Sequence, residues 1–163
     1  MCWQCDNPEA TYGDYLDHLD GIIAKCGWAV QCIRRDKLYP PWAYTVGLSA
    51  QDEPELVITG LHHKKAHRLL NSIAHTVFET SFAPEPGQRI TMHGGSVIEI
   101  VEVAEPTAHL HTAVNMYGPY IAAIQLVYTD DRGHWPWDVG YRGGNGGQPV
   151  LGPRGFPGAS PDS

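Results

Sequence analysis

The chain has 163 residues, 42% of them hydrophobic and 18% charged, with 18 acidic residues against 11 basic ones and a formal charge of −7. A chain of that size encloses one hydrophobic core, which predicts a single domain, and no run approaches the roughly 20 apolar residues that a membrane span needs. The negative charge also disfavours a nucleic-acid partner: phosphate backbones are held by clustered Lys and Arg, and the one local basic group, Lys64, Lys65 and Arg68, falls by its spacing on a solvated helix face.

The opening Met1-Cys2-Trp3-Gln4-Cys5-Asp6 has neither the basic start nor the apolar run of a secretory signal, which predicts a cytoplasmic location. In a reducing compartment Cys2, Cys5, Cys26 and Cys32 read as thiols or metal ligands rather than as a disulfide framework. From residue 12 to 26 the apolar positions Tyr12, Tyr15, Leu16, Leu19, Ile22, Ile23 and Cys26 follow the period of a helical face. Thr11 is placed to cap this helix, Asp14 supplies acidic charge in its first turn and Gly27 supplies the stop.

Three runs rich in β-branched and aromatic residues follow, at 28–33, 42–48 and 56–61, separated by Tyr39-Pro40-Pro41 and Asp52-Glu53-Pro54. Helical spacing returns over residues 63–78, where Ala66, Leu69, Leu70, Ile73, Ala74, Val77 and Phe78 form one stripe. After Pro84-Glu85-Pro86-Gly87, two strand-like runs at 89–92 and 97–103 flank His93-Gly94-Gly95-Ser96, a hairpin signal. Thr107 opens a short helix on Leu110, Ala113, Val114 and Tyr117, which Gly118-Pro119 ends before a strand at 122–128. Because strands adjoining in sequence usually pair, this order predicts an α+β fold: a mainly antiparallel sheet of about six strands with three helices packed on it. The predicted layout is a Cys-x-x-Cys segment over residues 1–10, one domain over 11–152 and a flexible Gly/Pro-rich tail over 153–163.

Three segments carry a resemblance: Trp42-Ala43-Tyr44-Thr45-Val46-Gly47-Leu48, Pro54-Glu55-Leu56-Val57-Ile58-Thr59-Gly60-Leu61, and Gln125-Leu126-Val127-Tyr128 running on to Gly133-His134-Trp135-Pro136-Trp137. Together with Gln148-Pro149-Val150-Leu151-Gly152, they make the chain similar to the bacterial domain of unknown function 4262 family over roughly residues 11 to 152. The early Cys-x-x-Cys resembles the form of actinobacterial members. The resemblance implies a family without an assigned activity, so it carries no catalytic residues over.

Cys2 and Cys5 have the spacing of half a zinc site, in which two thiolates reach one ion at about 2.3 Å. The remaining ligands would come from His63 and His67, which project from one helix face at i, i+4, or from Cys26 and Cys32; a redox dithiol and a plain terminal segment are the alternatives. His62-His63-Lys64-Lys65-Ala66-His67 lacks the Glu that a zinc protease needs after its first His, so it cannot run that chemistry. His109 and His111 would point about 200° apart in a continuous helix. Gly143-Gly144-Asn145-Gly146-Gly147 follows no strand and opens no helix, so it reads as a flexible link rather than a phosphate loop.

The run Asp130-Asp131-Arg132-Gly133-His134-Trp135-Pro136-Trp137-Asp138 places carboxylates, an imidazole and two indoles in a loop after a strand, where functional groups commonly sit. Its alternative is a lid over one end of the core. The leading expectation is a cytoplasmic small-molecule-binding domain, open to an enzymatic role, with a pocket lined by Tyr44, Gln125, His134, Trp135 and Trp137. A zinc-containing interaction module with a protein partner, using Cys2, Cys5, His63 and His67, is the second expectation. A flavin-binding small barrel, resting on fold analogy, is the third.

Overall fold

The computed structural model describes residues 6–33, 37, 39–80, 82, 84–92 and 94–154. Helix α1 (Tyr12–Cys26) begins on a capping box: the Thr11 hydroxyl accepts from the Asp14 N–H at 3.1 Å, and the Asp14 carboxylate accepts from the Thr11 N–H at 2.9 Å. Gly27 ends it, donating its N–H to the Ile23 carbonyl at 2.8 Å. Strands β1 (Ala29–Ile33), β2 (Trp42–Val46) and β3 (Glu55–Thr59) form consecutive antiparallel pairs.

Helix α2 (His63–Thr80) buries Ala66, Leu70, Ile73, Ala74 and Val77, the stripe its sequence period marks. A short hairpin of β4 (Arg89–Thr91) and β5 (Val97–Glu102) comes next, then helices α3 (Pro106–His109) and α4 (His111–Tyr117), and last β6 (Ala123–Tyr128). The strands form one sheet in the order β1-β2-β3-β6-β5-β4. Every neighbouring pair is antiparallel except β3 and β6, which the intervening elements return in parallel at the centre of the sheet. The fold is therefore α+β, as the element order predicts.

The strands alternate between two faces. On one, Ala43, Leu56, Ile58, Ile100 and Leu126 pack under α2; on the other, Tyr44, Val46, Val57 and Ala123 meet Leu110 and Ala113 of the α3–α4 corner. All five residues of β3 are buried, as expected for a strand covered on both sides.

Two places differ from the sequence reading in ways that shape the molecule. Strand β2 stops at Val46 because the next backbone N–H groups turn toward a buried carboxylate: Glu55, fully buried at the start of β3, accepts from the N–H groups of Gly47, Leu48 and Ser49 and from the hydroxyls of Thr45 and Ser49, at 2.6–3.2 Å. Residues Leu48–Gln51 consequently form a 3-10 turn. The glycine-rich run read as a flexible link begins in a second 3-10 turn, Tyr141–Gly144.

Residues 148–154 then form a strap across the sheet. It lies so close that a Cβ on Gly60, where φ is +70°, would collide with the Gly147 carbonyl, and one on Gly152 would collide with the Glu102 carbonyl. Only glycine permits both approaches.

Candidate functional site

The alternation along β2 places Trp42 and Tyr44 on one face, and the register sets Trp42 opposite Thr59 of β3. Above them the chain turns sharply at Leu110. Its φ and ψ of −111° and 57° interrupt the helix between α3 and α4 and send its side chain fully into the core. The interruption turns His109 and His111, separated by about 200° in a continuous helix, toward one cavity of about 650 Å³.

One wall of this cavity is Trp42 and Tyr44 with Ile33 from β1, and a second is Ala108, His109, His111 and Thr112. The strap supplies a third through Pro149 and Leu151, while Tyr39 and Pro40 stand at the mouth. The volume falls in the range of small-molecule sites, roughly 300–1,000 Å³.

Hydrogen bonds fix these walls. The Trp42 indole N–H donates to the His109 carbonyl at 3.1 Å, so the plane of the indole is set by the α3–α4 corner. The Tyr44 hydroxyl accepts the Thr112 N–H at 3.1 Å, and burial pushes that phenol above its ordinary pKa, leaving it neutral. His111 Nε2 lies 3.1 Å from the Ala108 carbonyl, which can only accept, so this nitrogen carries the proton. The half-buried His109 ring has no hydrogen-bond partner among the described residues. Burial pushes its pKa below the ordinary value, and the nearby Glu105 carboxylate only partly offsets that.

The strap wall is pinned by two glutamines. The fully buried Gln125 donates to the Pro149 carbonyl at 2.7 Å and to the Thr59 hydroxyl at 3.1 Å, and accepts from the Leu151 N–H at 2.7 Å. Gln148 accepts from the Tyr128 N–H at 3.1 Å and donates to the Tyr128 carbonyl at 2.9 Å and the Tyr141 hydroxyl at 2.6 Å. Of the residues expected to line a pocket, Tyr44 lines this cavity and Gln125 holds one of its walls.

His134, Trp135 and Trp137 sit elsewhere, in the loop after β6. The two indoles stack on each other, with centroids 5.3 Å apart and planes 6° from parallel. The Arg89 guanidinium lies over Trp135 at 4.7 Å and that of Arg154 over Trp137 at 3.8 Å. Glu99, 3% exposed, accepts from both arginines at 2.9–3.1 Å. Stacking and cation–π contact thus fasten the loop and the strap to the β4–β5 hairpin.

Beside them Asp130 organises the loop. Desolvation pushes its carboxyl up, but the N–H groups of Arg142, His134 and Arg132 and the His134 ring outweigh it and hold it at about 2. Arg142 reaches across to the Gly60 carbonyl and the Tyr128 hydroxyl, each at 3.2 Å.

The expected zinc ligands Cys2 and Cys5 lie outside the described residues. His63 and His67 both lie on α2, but His67 is already engaged. Asn71 accepts the Trp28 indole N–H through its carbonyl oxygen at 2.8 Å, so it presents its NH2 to His67 Nδ1 at 3.0 Å. That leaves an N–H rather than a lone pair on Nε2, the wrong form for a metal ligand. Among the described residues no three His, Cys, Asp or Glu side chains converge as a metal site.

Sequence reasoning missed His109 and His111 because it assumed a continuous helix. The available signal was Pro106 followed closely by an apolar Leu110 between two histidines, a pattern in which burying Leu110 competes with helix continuity.

A family model described as domain of unknown function (DUF4262) matches residues 22–142, well over half of the chain, and the chain belongs to this family. No curated protein matches it, and no solved structure does.

Proposed function

We propose that this DUF4262 member is a small-molecule-binding domain whose ligand occupies the cavity between β2, the α3–α4 corner and the strap of residues 148–154. The observation that carries the reading is the convergence of the His109 and His111 imidazoles on an aromatic-walled cavity of about 650 Å³ whose three walls are each fixed by hydrogen bonds. Pre-formed walls lower the ordering cost of binding, and a few polar groups in an apolar surround give orientation. An enzymatic role would use His109, the one imidazole at the site that burial keeps uncharged and that has both ring nitrogens unoccupied among the described residues. Cys26 and Cys32 are free thiols, which supports placing this activity in a reducing compartment, the cytoplasm.

The test is a thermal-shift screen against a metabolite collection, run in parallel on an Ala108→Trp variant. Ala108 is an exposed residue of the cavity wall, so an indole there fills the space without entering the core. A true ligand raises the melting temperature of the wild type and not of the variant. Ligands that stabilise both equally, or none that stabilises the wild type, contradict the reading.

A further inference from the structure

We infer that the ligand of this cavity is an uncharged, flat aromatic molecule bearing one hydrogen-bonding group, seated against the Trp42 indole and paired with the His109 imidazole. The inference rests on the binding role proposed above and adds the chemical class. Its first ground is charge. Among the described residues the lining contains no Lys, Arg, Asp or Glu. An ionic group seated among these described residues gives up its hydration without a charged partner from any of them. Phosphorylated and carboxylated ligands are disfavoured for this reason, and the net charge of −7 adds to the penalty for anions.

Shape is the second ground. The Trp42 ring cannot swing away while its N–H is held by the His109 carbonyl at 3.1 Å, and the rings of Tyr39, Pro40 and Pro149 line the same space. A held indole with further aromatic and prolyl rings beside it favours a planar guest, which gains stacking contact at little conformational cost.

The third ground is His109 itself. A neutral imidazole offers one donor and one acceptor, and neither ring nitrogen of His109 is engaged by a described residue. Two other titratable groups of the lining are engaged elsewhere: His111 gives its Nε2 proton to the Ala108 carbonyl, and the Tyr44 hydroxyl accepts the Thr112 N–H. A partly buried polar ring in apolar surroundings costs free energy until it finds a partner. A phenolic hydroxyl or ring N–H on the ligand supplies one.

Four probes on one ring system test this by NMR titration of the full chain at neutral pH: 2-naphthol, naphthalene, 2-naphthoate and 2-naphthylmethylammonium. The expected order places 2-naphthol roughly tenfold tighter than naphthalene, the worth of one well-made hydrogen bond, with both charged probes weaker than naphthalene. His109→Phe should erase the advantage of 2-naphthol while keeping naphthalene binding, and His109→Gln should restore part of it. Ala108→Trp should weaken all four. A charged probe that equals 2-naphthol, or a 2-naphthol advantage that survives His109→Phe, overturns the inference while leaving the binding role intact. If no probe binds, both the class and the proposed role fail. The comparison of the four probes is made within the wild type and decides the ligand class even if one variant does not fold, while His109→Gln, as well as His109→Phe, tests the pairing with His109.

Discussion

Trp42 gives its indole N–H to the backbone carbonyl of His109, 3.1 Å away across 67 positions of sequence. This one bond ties the second strand of the sheet to the helix corner that faces it, and it holds two walls of the cavity at a fixed separation. The chemistry proposed for the site depends on that separation, because a planar guest stacks on Trp42 only while it can also reach the His109 ring.

Replacing Trp42 by Phe keeps an aromatic wall and removes the N–H. Urea denaturation should show a loss of about 1 kcal/mol, the net worth of a typical hydrogen bond, together with weaker binding of any cavity ligand. Unchanged stability would mean that the bond does not hold the corner.

The strap depends on side chains rather than on a strand ladder. Gln125→Leu fills similar space but leaves the Leu151 N–H without its acceptor and the Pro149 carbonyl with the Thr59 hydroxyl alone. The expected cost is about 2–3 kcal/mol, since unpaired buried polar groups forfeit their hydration. Limited proteolysis should show earlier cleavage between residues 148 and 154 than in the wild type. Resistance equal to the wild type would mean that the strap is held by other contacts.

The Trp135–Trp137 loop behaves in this account as a fastening and not as the site. Trp137→Ala removes the indole stack and the contact with Arg154. Stability should fall by about 1–2 kcal/mol, while the affinity of a cavity ligand stays at its wild-type value. A selective loss of binding with unchanged stability would return the site to this loop.

Asp130 gives a pH signature. Its folded-state pKa, about 2, lies below the ordinary carboxyl value. Its contribution is therefore complete above the ordinary Asp value of about 3.9 and is lost as pH falls from there through about 2. Denaturation curves at successive pH values should show wild-type stability declining more steeply over that window than that of Asp130→Asn, which has no proton to bind. Parallel curves would show that the four hydrogen bonds to Asp130 do not favour its charge.

Much of the architecture is legible in the sequence, and the reasons are physical. Helix α1 announces itself through Thr11, Asp14 and Gly27, because end groups without partners demand particular residues. Helix α2 follows from apolar periodicity, since it buries one face, and the strands from β-branched and aromatic runs set between turn signals. The family resemblance carried by the segments around Tyr44, Thr59 and Gln125 is upheld by the family model. Glu55 was illegible as a core residue because a carboxylate is buried only where several donors meet it, and those donors come from a turn that the sequence reads as a continuing strand.

The site itself was harder to see. His109 and His111 meet at the cavity only because burying Leu110 wins over continuing the helix, a tertiary effect that no local period records. The strap has no periodicity because Gln125 bonds to its backbone directly and its own Gln148 side chain bonds to the Tyr128 backbone of β6.

The central claim is that ligands enter the cavity beside Trp42. The most direct measurement is a titration of 15N-labelled protein with 2-naphthol, following the indole N–H resonances, with Trp42→Phe used to assign the Trp42 signal. Saturable shifts of the Trp42 indole N–H, with those of Trp135 and Trp137 unmoved, are the predicted result. Shifts confined to Trp135 and Trp137, or none at any indole, would contradict the claim.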